Sequence, residues 1–266
     1  MQRIRLRYTK RGRLRFTSHR DFQRAFERAL RRSAVPMAYS AGFTPHPKVS
    51  YANAAPTGVA SEAEYLEIGL ADFRDPEALR AQLDESLPTG LDIIEAAEVR
   101  TPNFVERLEA SLWEVRLPGV GEEEAARAVE LFLAAESVEV ERKTKNGLRV
   151  FDARGAVASL RVVPAQVGVG PAGESAATSD VRTGQACAIL RLVVRHATPA
   201  VRPDDVLSGL RATADLAPPV PAEVTRLAQG PLDEETGTVT DPLALDRAAA
   251  QAVPSETAEP QTVASA

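Results

Sequence analysis

The order of hydrophobic periodicities along the chain constrains the fold more than any other feature. Residues 3–8 alternate strictly between basic and apolar side chains, which is the period of a half-buried strand. Further elements are predicted at 18–34 (helix), 49–53 and 63–70 (strands), 75–87 (helix) and 91–99 (strand). The resulting order, β-α-β-β-α-β, is that of the ferredoxin-like arrangement.

A second, looser copy of this pattern follows between residues 108 and 228. Its predicted elements are strands at 112–117, 138–142, 148–152, 157–163, 186–196 and 224–227, and helices at 122–135 and 203–213. The Asn146-Gly147 dipeptide between two of these strands is a strong hairpin signal. Since residues 165–184 are rich in Gly, Ala, Ser and Thr, they predict a flexible insertion.

The fold prediction is therefore an α+β protein with two tandem ferredoxin-like (βαββαβ) halves, at residues 1–100 and 108–228. From residue 229 to 266 the chain is dominated by Ala, Pro, Thr and acidic residues and has hardly an aromatic. Such a segment has too little apolar surface to offset its ordering entropy, so it predicts a disordered C-terminal tail.

Charge is distributed unevenly along the chain. The net charge is −5, yet residues 1–50 contain thirteen Lys and Arg against two acidic residues, Asp21 and Glu27. Such an asymmetry indicates an anion-binding face on an acidic body. Two strands, at residues 3–8 and 13–16, are expected to direct their arginines to solvent, and the helix at 18–34 is expected to carry an arginine face opposite its apolar face.

The stretch Tyr39–Tyr51 concentrates more chemical capacity than any other part of the chain. His46 lies between two prolines that restrict the backbone, with Lys48 following, and aromatic side chains such as Phe43 can stack on bases. The predicted nucleic-acid-binding residues are Arg5, Arg7, Lys10, Arg13, Arg15, Arg20, Arg24, Arg28, Arg31, Tyr39, Phe43, His46 and Lys48.

Catalytic residues cannot be assigned from the sequence, and His46, His19 and Lys48 are only candidates. Glu62 and Glu64 could do acid–base work, although an acidic edge opposing the arginines explains them as well. With three His and a single Cys, no metal-ligand spacing is present, and no phosphate-binding glycine loop occurs. The absence of a signal-peptide core and of a membrane-length apolar run predicts a cytoplasmic protein.

Several of these motifs resemble those of a bacterial family of unknown function, the radical-SAM-associated (radical-SAM-linked) proteins. The resemblance rests on four motifs, residues 15–19, 28–32, 39–48 and 58–65. One departure is Arg20, where the family's Ser-His-Leu-Asp pattern has Leu. The resemblance implies a separate radical SAM enzyme as the partner; S-adenosylmethionine and an iron–sulfur cluster would be bound there, since one Cys cannot hold such a cluster in this chain.

These observations favour an accessory protein that binds structured RNA, such as tRNA or rRNA, and presents it to the radical SAM partner for modification. One alternative is a metal-free RNA-processing enzyme that uses His46 or His19, with Lys48 stabilising the phosphorane. Another is a scaffold whose basic face docks onto an acidic protein. The sequence does not identify the RNA, the modification or the oligomeric state.

Overall fold

Most of the predicted strands and helices form, and they build a mixed α+β protein around a central sheet. The computed structural model describes residues 1–144, 147–164 and 186–252. The strands are β1 (Gln2–Lys10), β2 (Val49–Ala52), β3 (Ala60–Leu70), β4 (Ile93–Glu98), β5 (Ala110–Pro118), β6 (Glu139–Thr144), β7 (Gly147–Asp152), β8 (Val157–Val163), β9 (Cys187–Arg195), β10 (Glu223–Gly230), β11 (Leu232–Asp233) and β12 (Thr238–Val239). The α-helices of these residues are α1 (His19–Arg32), α2 (Pro76–Ser86), α3 (Glu122–Ala134), α4 (Pro203–Ala214) and α5 (Ala244–Gln251).

The central sheet contains two sets of four strands. In the first half the order is β4-β1-β3-β2, and in the second it is β10-β5-β9-β8, with antiparallel neighbours throughout. The two sets join where β3 and β10 pair in parallel, with Ala60 opposite Thr225 and Ser61 opposite Arg226. Because of this junction, one sheet runs through both halves.

The strands β6 and β7 form a separate two-stranded sheet. Their register brings Thr144 opposite Gly147, which confirms the hairpin predicted there. The flexible insertion predicted at 165–184 lies outside the described residues.

One face of β1 and β3 packs against α1 and α2. Ile4, Leu6 and Tyr8 alternate onto this face and contact the apolar side of α1, where Phe22 and Phe26 are buried. The rings of Tyr8 and Phe22 stack with centroids 4.3 Å apart. Each such side chain contributes roughly 1.5–3 kcal/mol through removal of its apolar surface from water, so this face fixes α1 firmly on the sheet.

The predicted strand at residues 13–16 is wrong, because Gly12–Phe16 form a 3-10 helix. Gly12 has a φ of 52°, which turns the chain away from β1. The amide of Leu14 then donates to the Arg11 carbonyl (3.0 Å), and the amide of Thr17 donates to that of Leu14 (2.9 Å). These local bonds satisfy the backbone without a neighbouring strand.

The predicted tail begins too early, because residues 229–252 are folded. The strands β11 and β12 pair with each other, and α5 follows them. Leu243 is completely buried in a cluster with Tyr65 and Phe104, on the sheet face opposite α1. Composition underestimated this segment, since a few specific contacts hold it: the buried Leu243, the buried carboxylate of Asp246 and the Arg247–Glu95 ion pair to β4. Residues 253–266 of the predicted tail lie outside the described part of the chain.

Asp246 of α5 is that buried carboxylate, and it accepts hydrogen bonds from four residues. Arg5 of β1 donates to it, as do the Arg107 guanidinium (3.2 Å), the amides of Arg100 (3.0 Å) and Thr101 (2.9 Å), and the Thr101 hydroxyl (2.7 Å). Burial raises the pKa of Asp246, but the hydrogen bonds from Thr101, Arg100 and Arg5 outweigh it and hold the pKa below its ordinary value. The carboxylate is therefore ionised and fully bonded.

Within the described residues, no helix is both long and apolar enough to cross a membrane.

We expect Asp246→Ala to lower the free energy of unfolding by about 3–5 kcal/mol, because it removes the buried carboxylate that pairs with both Arg5 and Arg107 and leaves Arg5 with Glu67 alone. Urea denaturation monitored by circular dichroism measures this loss. The matched control is Asp72→Ala, at an exposed aspartate, which should change stability by less than about 0.5 kcal/mol. Equal unfolding midpoints for the two variants would contradict the structural role of Asp246.

Candidate nucleic-acid interface

The helix α1 begins at a capping motif formed by Ser18 and Asp21. The Ser18 hydroxyl oxygen accepts a hydrogen bond from the Asp21 amide (3.2 Å) and donates to the Asp21 carboxylate (2.6 Å). The cap sets where the helical repeat begins, and the repeat then separates two faces. Phe22, Phe26 and Leu30 enter the core, and the arginines remain in solvent.

Four exposed arginines form one line along the solvent side of α1, which we call the arginine stripe: Arg20, Arg24, Arg28 and Arg31. Their spacing of four, four and three residues places them on adjacent turns of one face. Arg24 makes a long ion pair with Asp21 (3.8 Å), and the other three make no ion pair within the described residues. The stripe is therefore a line of positive charge that the rest of the described chain leaves almost uncompensated.

The short helix before α1 contributes two more cations. Arg13 is exposed, and the guanidinium of the half-buried Arg15 lies over the Phe16 ring, 4.7 Å from its centroid. The predicted basic region therefore continues up to the stripe, although these arginines stand on a helical turn and not on a strand.

The arginines of β1 do not share one exposed face. Arg3 remains exposed, and Arg7 is half-buried, with its Nε donating to the Glu62 carbonyl (2.9 Å). Arg5 is only 1% exposed, so the prediction that its guanidinium points to solvent is wrong. The physical reason is the segment around α5, which covers this face and supplies Asp246 as the partner.

Lys10 is also buried, in contrast to its predicted place on the surface. Its ammonium lies near the Pro56 carbonyl (3.4 Å). Burial lowers the pKa of Lys10, the Glu64 carboxylate raises it in part, and the Arg226 guanidinium lowers it further. Neither Lys10 nor Arg5 is accessible to an RNA backbone.

Residues 38–48 form a hairpin that carries the predicted aromatic contacts. The Ser40 amide donates to the His46 carbonyl (2.9 Å), and the Lys48 amide donates to the Ala38 carbonyl (2.8 Å). Gly42 near the tip has a φ of 123°, a conformation that side chains disfavour. Phe43 beside it is fully exposed. The hairpin thus holds an aromatic ring in solvent on a hydrogen-bonded frame.

The other predicted members of this loop have different surroundings. Tyr39 is 55% exposed and bridges to Pro47 across the hairpin. His46 and Lys48 are both exposed, and they line a pocket of about 260 Å³. The pocket lining therefore includes His46 and Lys48 but not the stacking candidates Tyr39 and Phe43.

His19 and His46 lie on opposite sides of the sheet. His19 contacts the Tyr51 ring edge-on, with centroids 5.0 Å apart, and its ring nitrogen is 3.1 Å from the Gln23 side chain. Tyr51 packs on the same face as α1, whereas the pocket of His46 is lined by Arg3 and other residues of the opposite face. These two histidines therefore do not form an acid–base pair.

The two carboxylates singled out in β3 each meet an arginine. Glu62 pairs with Arg11, and Glu64 makes a buried pair with Arg226 of β10. Both contacts agree with the simpler interpretation of their spacing, which is an acidic edge opposing arginines. Among the described residues, no group of three or more His, Cys, Asp or Glu is arranged to hold a metal ion.

The buried Glu64–Arg226 pair joins the two halves and was not predicted. The Arg226 guanidinium also lies over the Trp113 ring, 5.5 Å from its centroid. One signal was available, because Glu64 has the same parity in β3 as the core residues Leu66 and Ile68. A carboxylate at a core-facing position requires a buried partner.

His196 lies close to this junction, and sequence reasoning also missed it. With Nδ1 protonated, it donates to the Leu108 carbonyl (2.5 Å) and accepts at Nε2 from the Ser111 hydroxyl (2.8 Å). The residue as a whole is exposed, but partial burial of its ring lowers the pKa of His196; the bond to Leu108 raises it in part, and Arg226 lowers it further. The neutral form therefore fits the site.

A family model described as an uncharacterized protein conserved in bacteria (DUF2344) matches residues 3–203. No curated protein matches the chain. The matched region contains the arginine stripe and the hairpin, whereas α5 and Asp246 lie beyond it. The expectation of a bacterial domain of unknown function is confirmed.

We expect stability to fall as the pH drops from 7.5 to 5.5, partly because of His196. Its pKa is lowered in the folded state, so the unfolded chain takes up the proton first, near the ordinary value of about 6.5. Urea midpoints across this pH range should fall more for the wild type than for His196→Gln. Parallel curves for the wild type and His196→Gln would rule out this linkage.

Proposed function

The chain belongs to DUF2344, a family of uncharacterized proteins conserved in bacteria, and we propose that it binds structured RNA through the arginine stripe of α1. The observation that carries the proposal is the uncompensated charge of the stripe. A line of like charges repels itself unless an anion binds, and this line stands on a protein whose net charge is −5. The stripe is thus a region of positive charge on a protein of negative net charge, and the binding of a polyanion would explain it.

The dimensions of the stripe suit a nucleic-acid backbone. Arg20 and Arg31 are eleven residues apart, which is about 16 Å along a helix axis. A phosphate backbone offers several charges over that length. Each guanidinium can bind a phosphate through two parallel hydrogen bonds. Such contacts read the shape of RNA more than its sequence, because the deep groove of A-form RNA hides base edges from side chains.

The hairpin supplies a second element of the proposal. Phe43 gains no packing from the described chain, and Tyr39 is more than half exposed. We propose that both rings stack on unpaired bases of the RNA, as aromatic side chains do in single-strand recognition. An RNA with a loop or a free end next to a helix would engage the hairpin and the stripe together.

The resemblance to radical-SAM-associated proteins supports a role for this RNA binding. We propose that the chain is an accessory protein that holds the RNA while a separate radical SAM enzyme modifies it. S-adenosylmethionine and the iron–sulfur cluster would belong to that partner. The arrangement requires one RNA to contact both proteins, so the partner should bind the RNA more tightly when this chain is present.

We further infer that each half is a ferredoxin-like unit. The inference rests on the repeated strand order, in which the fourth, first, third and second strands of each set are adjacent and antiparallel. In the second half, the hairpin of β6 and β7 is inserted after α3.

We expect the variant Arg24→Ala/Arg28→Ala to bind a structured RNA more weakly and with a shallower salt dependence. Each lost phosphate contact should reduce the slope of log affinity against log salt by about one. Fluorescence anisotropy at several salt concentrations measures both quantities.

The matched control is Arg149→Ala/Arg161→Ala, which removes the same charge from two exposed arginines of the second half. If the two double variants lost affinity equally, RNA binding would be nonspecific attraction and not a property of the stripe. If wild-type protein bound no RNA and an acidic protein instead protected α1, the stripe would be a protein-docking surface and the proposal would fail.

A further inference from the structure

A pocket of about 260 Å³ opens on the sheet face opposite α1, where the hairpin of residues 38–48 meets the first residues of β1 and the last of β3. The arginine stripe does not reach it, since the sheet lies between them. The polar side chains that line the pocket are Arg3, Ser40, His46, Lys48, Ser50 and Glu67.

The charge inside this pocket is positive. Glu67 is the one carboxylate among its described lining residues, and it is already paired on both oxygens. Arg3 contacts one oxygen (3.1 Å) and the buried Arg5 contacts the other (3.2 Å). Lys48 makes no ion pair within the described chain, so its ammonium adds a charge that nothing in the pocket neutralises.

The position of Lys48 is fixed by Gly69 of β3. The Gly69 amide donates to the Lys48 carbonyl (2.9 Å), and the Gly69 carbonyl accepts from the Ala38 amide (2.8 Å). A Cβ added at Gly69 would lie 3.2 Å from the Lys48 Cβ and 3.7 Å from the Ala38 Cβ. Because the φ of Gly69 is not positive, the glycine is needed here for space and not for backbone freedom. It lets the stem of Lys48 lie flat against the strand.

Hydrogen-bond donors surround the same space. The Ser40 hydroxyl oxygen accepts from the His46 amide (3.0 Å), which leaves its own proton free to donate into the pocket. Ser50, on the next strand, adds a second hydroxyl, and the imidazole of His46 adds a ring N–H. A phosphate offers several strong acceptor oxygens and up to two negative charges, which this set of donors and cations matches.

We propose that the pocket binds a phosphate monoester, carried either by the end of an RNA strand or by a free nucleotide. The pocket has room for one phosphorylated group but not for a duplex, and a terminal phosphate carries more charge than a bridging one. Lys48 provides the free counter-charge, Arg3 neutralises Glu67 and offers its remaining N–H groups, and Ser40, Ser50 and His46 orient the oxygens. The proposal does not depend on the arginine stripe, because the two sites lie on opposite faces.

The test compares three versions of one short RNA, with a 5′-phosphate, a 3′-phosphate or hydroxyl ends, together with a nucleoside monophosphate. Isothermal titration calorimetry of the full chain measures each affinity. We expect a phosphate end to strengthen binding about tenfold or more over hydroxyl ends, as charge-assisted hydrogen bonds do. If a terminal phosphate strengthens RNA binding and the free monophosphate does not compete, the site binds strand ends. If the free monophosphate competes, the site binds nucleotides.

Two variants should remove this advantage. Lys48→Ala deletes the cation, and Gly69→Ala displaces it while keeping every charge. Their matched controls are Lys143→Ala, an exposed lysine, and Gly121→Ala, where an added Cβ meets nothing within 4 Å. Unfolding midpoints verify that each variant is folded. If Lys48→Ala or Gly69→Ala is not folded, Lys48→Gln replaces it.

The outcomes separate this site from the stripe. The Arg24→Ala/Arg28→Ala variant should weaken all three RNAs by the same factor and leave the phosphate advantage unchanged. If no RNA with hydroxyl ends binds but the monophosphate does, the stripe proposal fails and the pocket stands. Equal affinities for phosphate and hydroxyl ends, with no binding of the monophosphate, would overturn the pocket proposal.

Discussion

The buried ion pair between Arg5 and Asp246 is the interaction on which the first half of the structure depends. It joins the first strand to the last described helix, and the other donors to Asp246 come from residues 100–107. Removing one partner from a buried ion pair is strongly destabilising, so the docking of α5 and the burial of Arg5 stabilise each other. Glu67 connects Arg5 to Arg3 at the rim of the pocket. The C-terminal segment therefore also helps to set the pocket's geometry.

The two sheet faces of this half are covered by different elements. On one face, the sheet is covered by α1, whose outer side carries the stripe. On the other, the segment around α5 covers the centre of the sheet and leaves the pocket open at one end. Gly69 and Lys48 meet on that second face, whereas Tyr51 and His19 meet on the first. The adjacency of the hairpin and the arginine helix in the sequence hid this separation.

The sequence predicted local structure well because periodicity reports which face of an element is buried. Most predicted strands and helices lie within a few residues of their observed bounds, and the helix predicted over 18–34 is capped at Ser18. The strand prediction for residues 13–16 was wrong, since four alternating residues cannot distinguish a strand from a tight helical turn. The prediction that Arg5 is exposed was wrong for a different reason. Alternation shows that Arg5 faces away from Ile4 and Leu6, but it cannot show that a segment 240 residues later covers that face. Long-range pairs of this kind leave no local signal.

The RNA interface that we propose for α1 can be tested by ultraviolet crosslinking in cells, followed by mass spectrometry of RNA-bound peptides. We expect nucleotide adducts on peptides from α1 and on the exposed ring of Phe43, and we expect the adducts on α1 to be lost in the Arg24→Ala/Arg28→Ala variant. Recovery of one class of RNA would also identify the ligand. Adducts that appear only on the second half of the chain, or no adducts above background, would show that α1 is not an RNA interface.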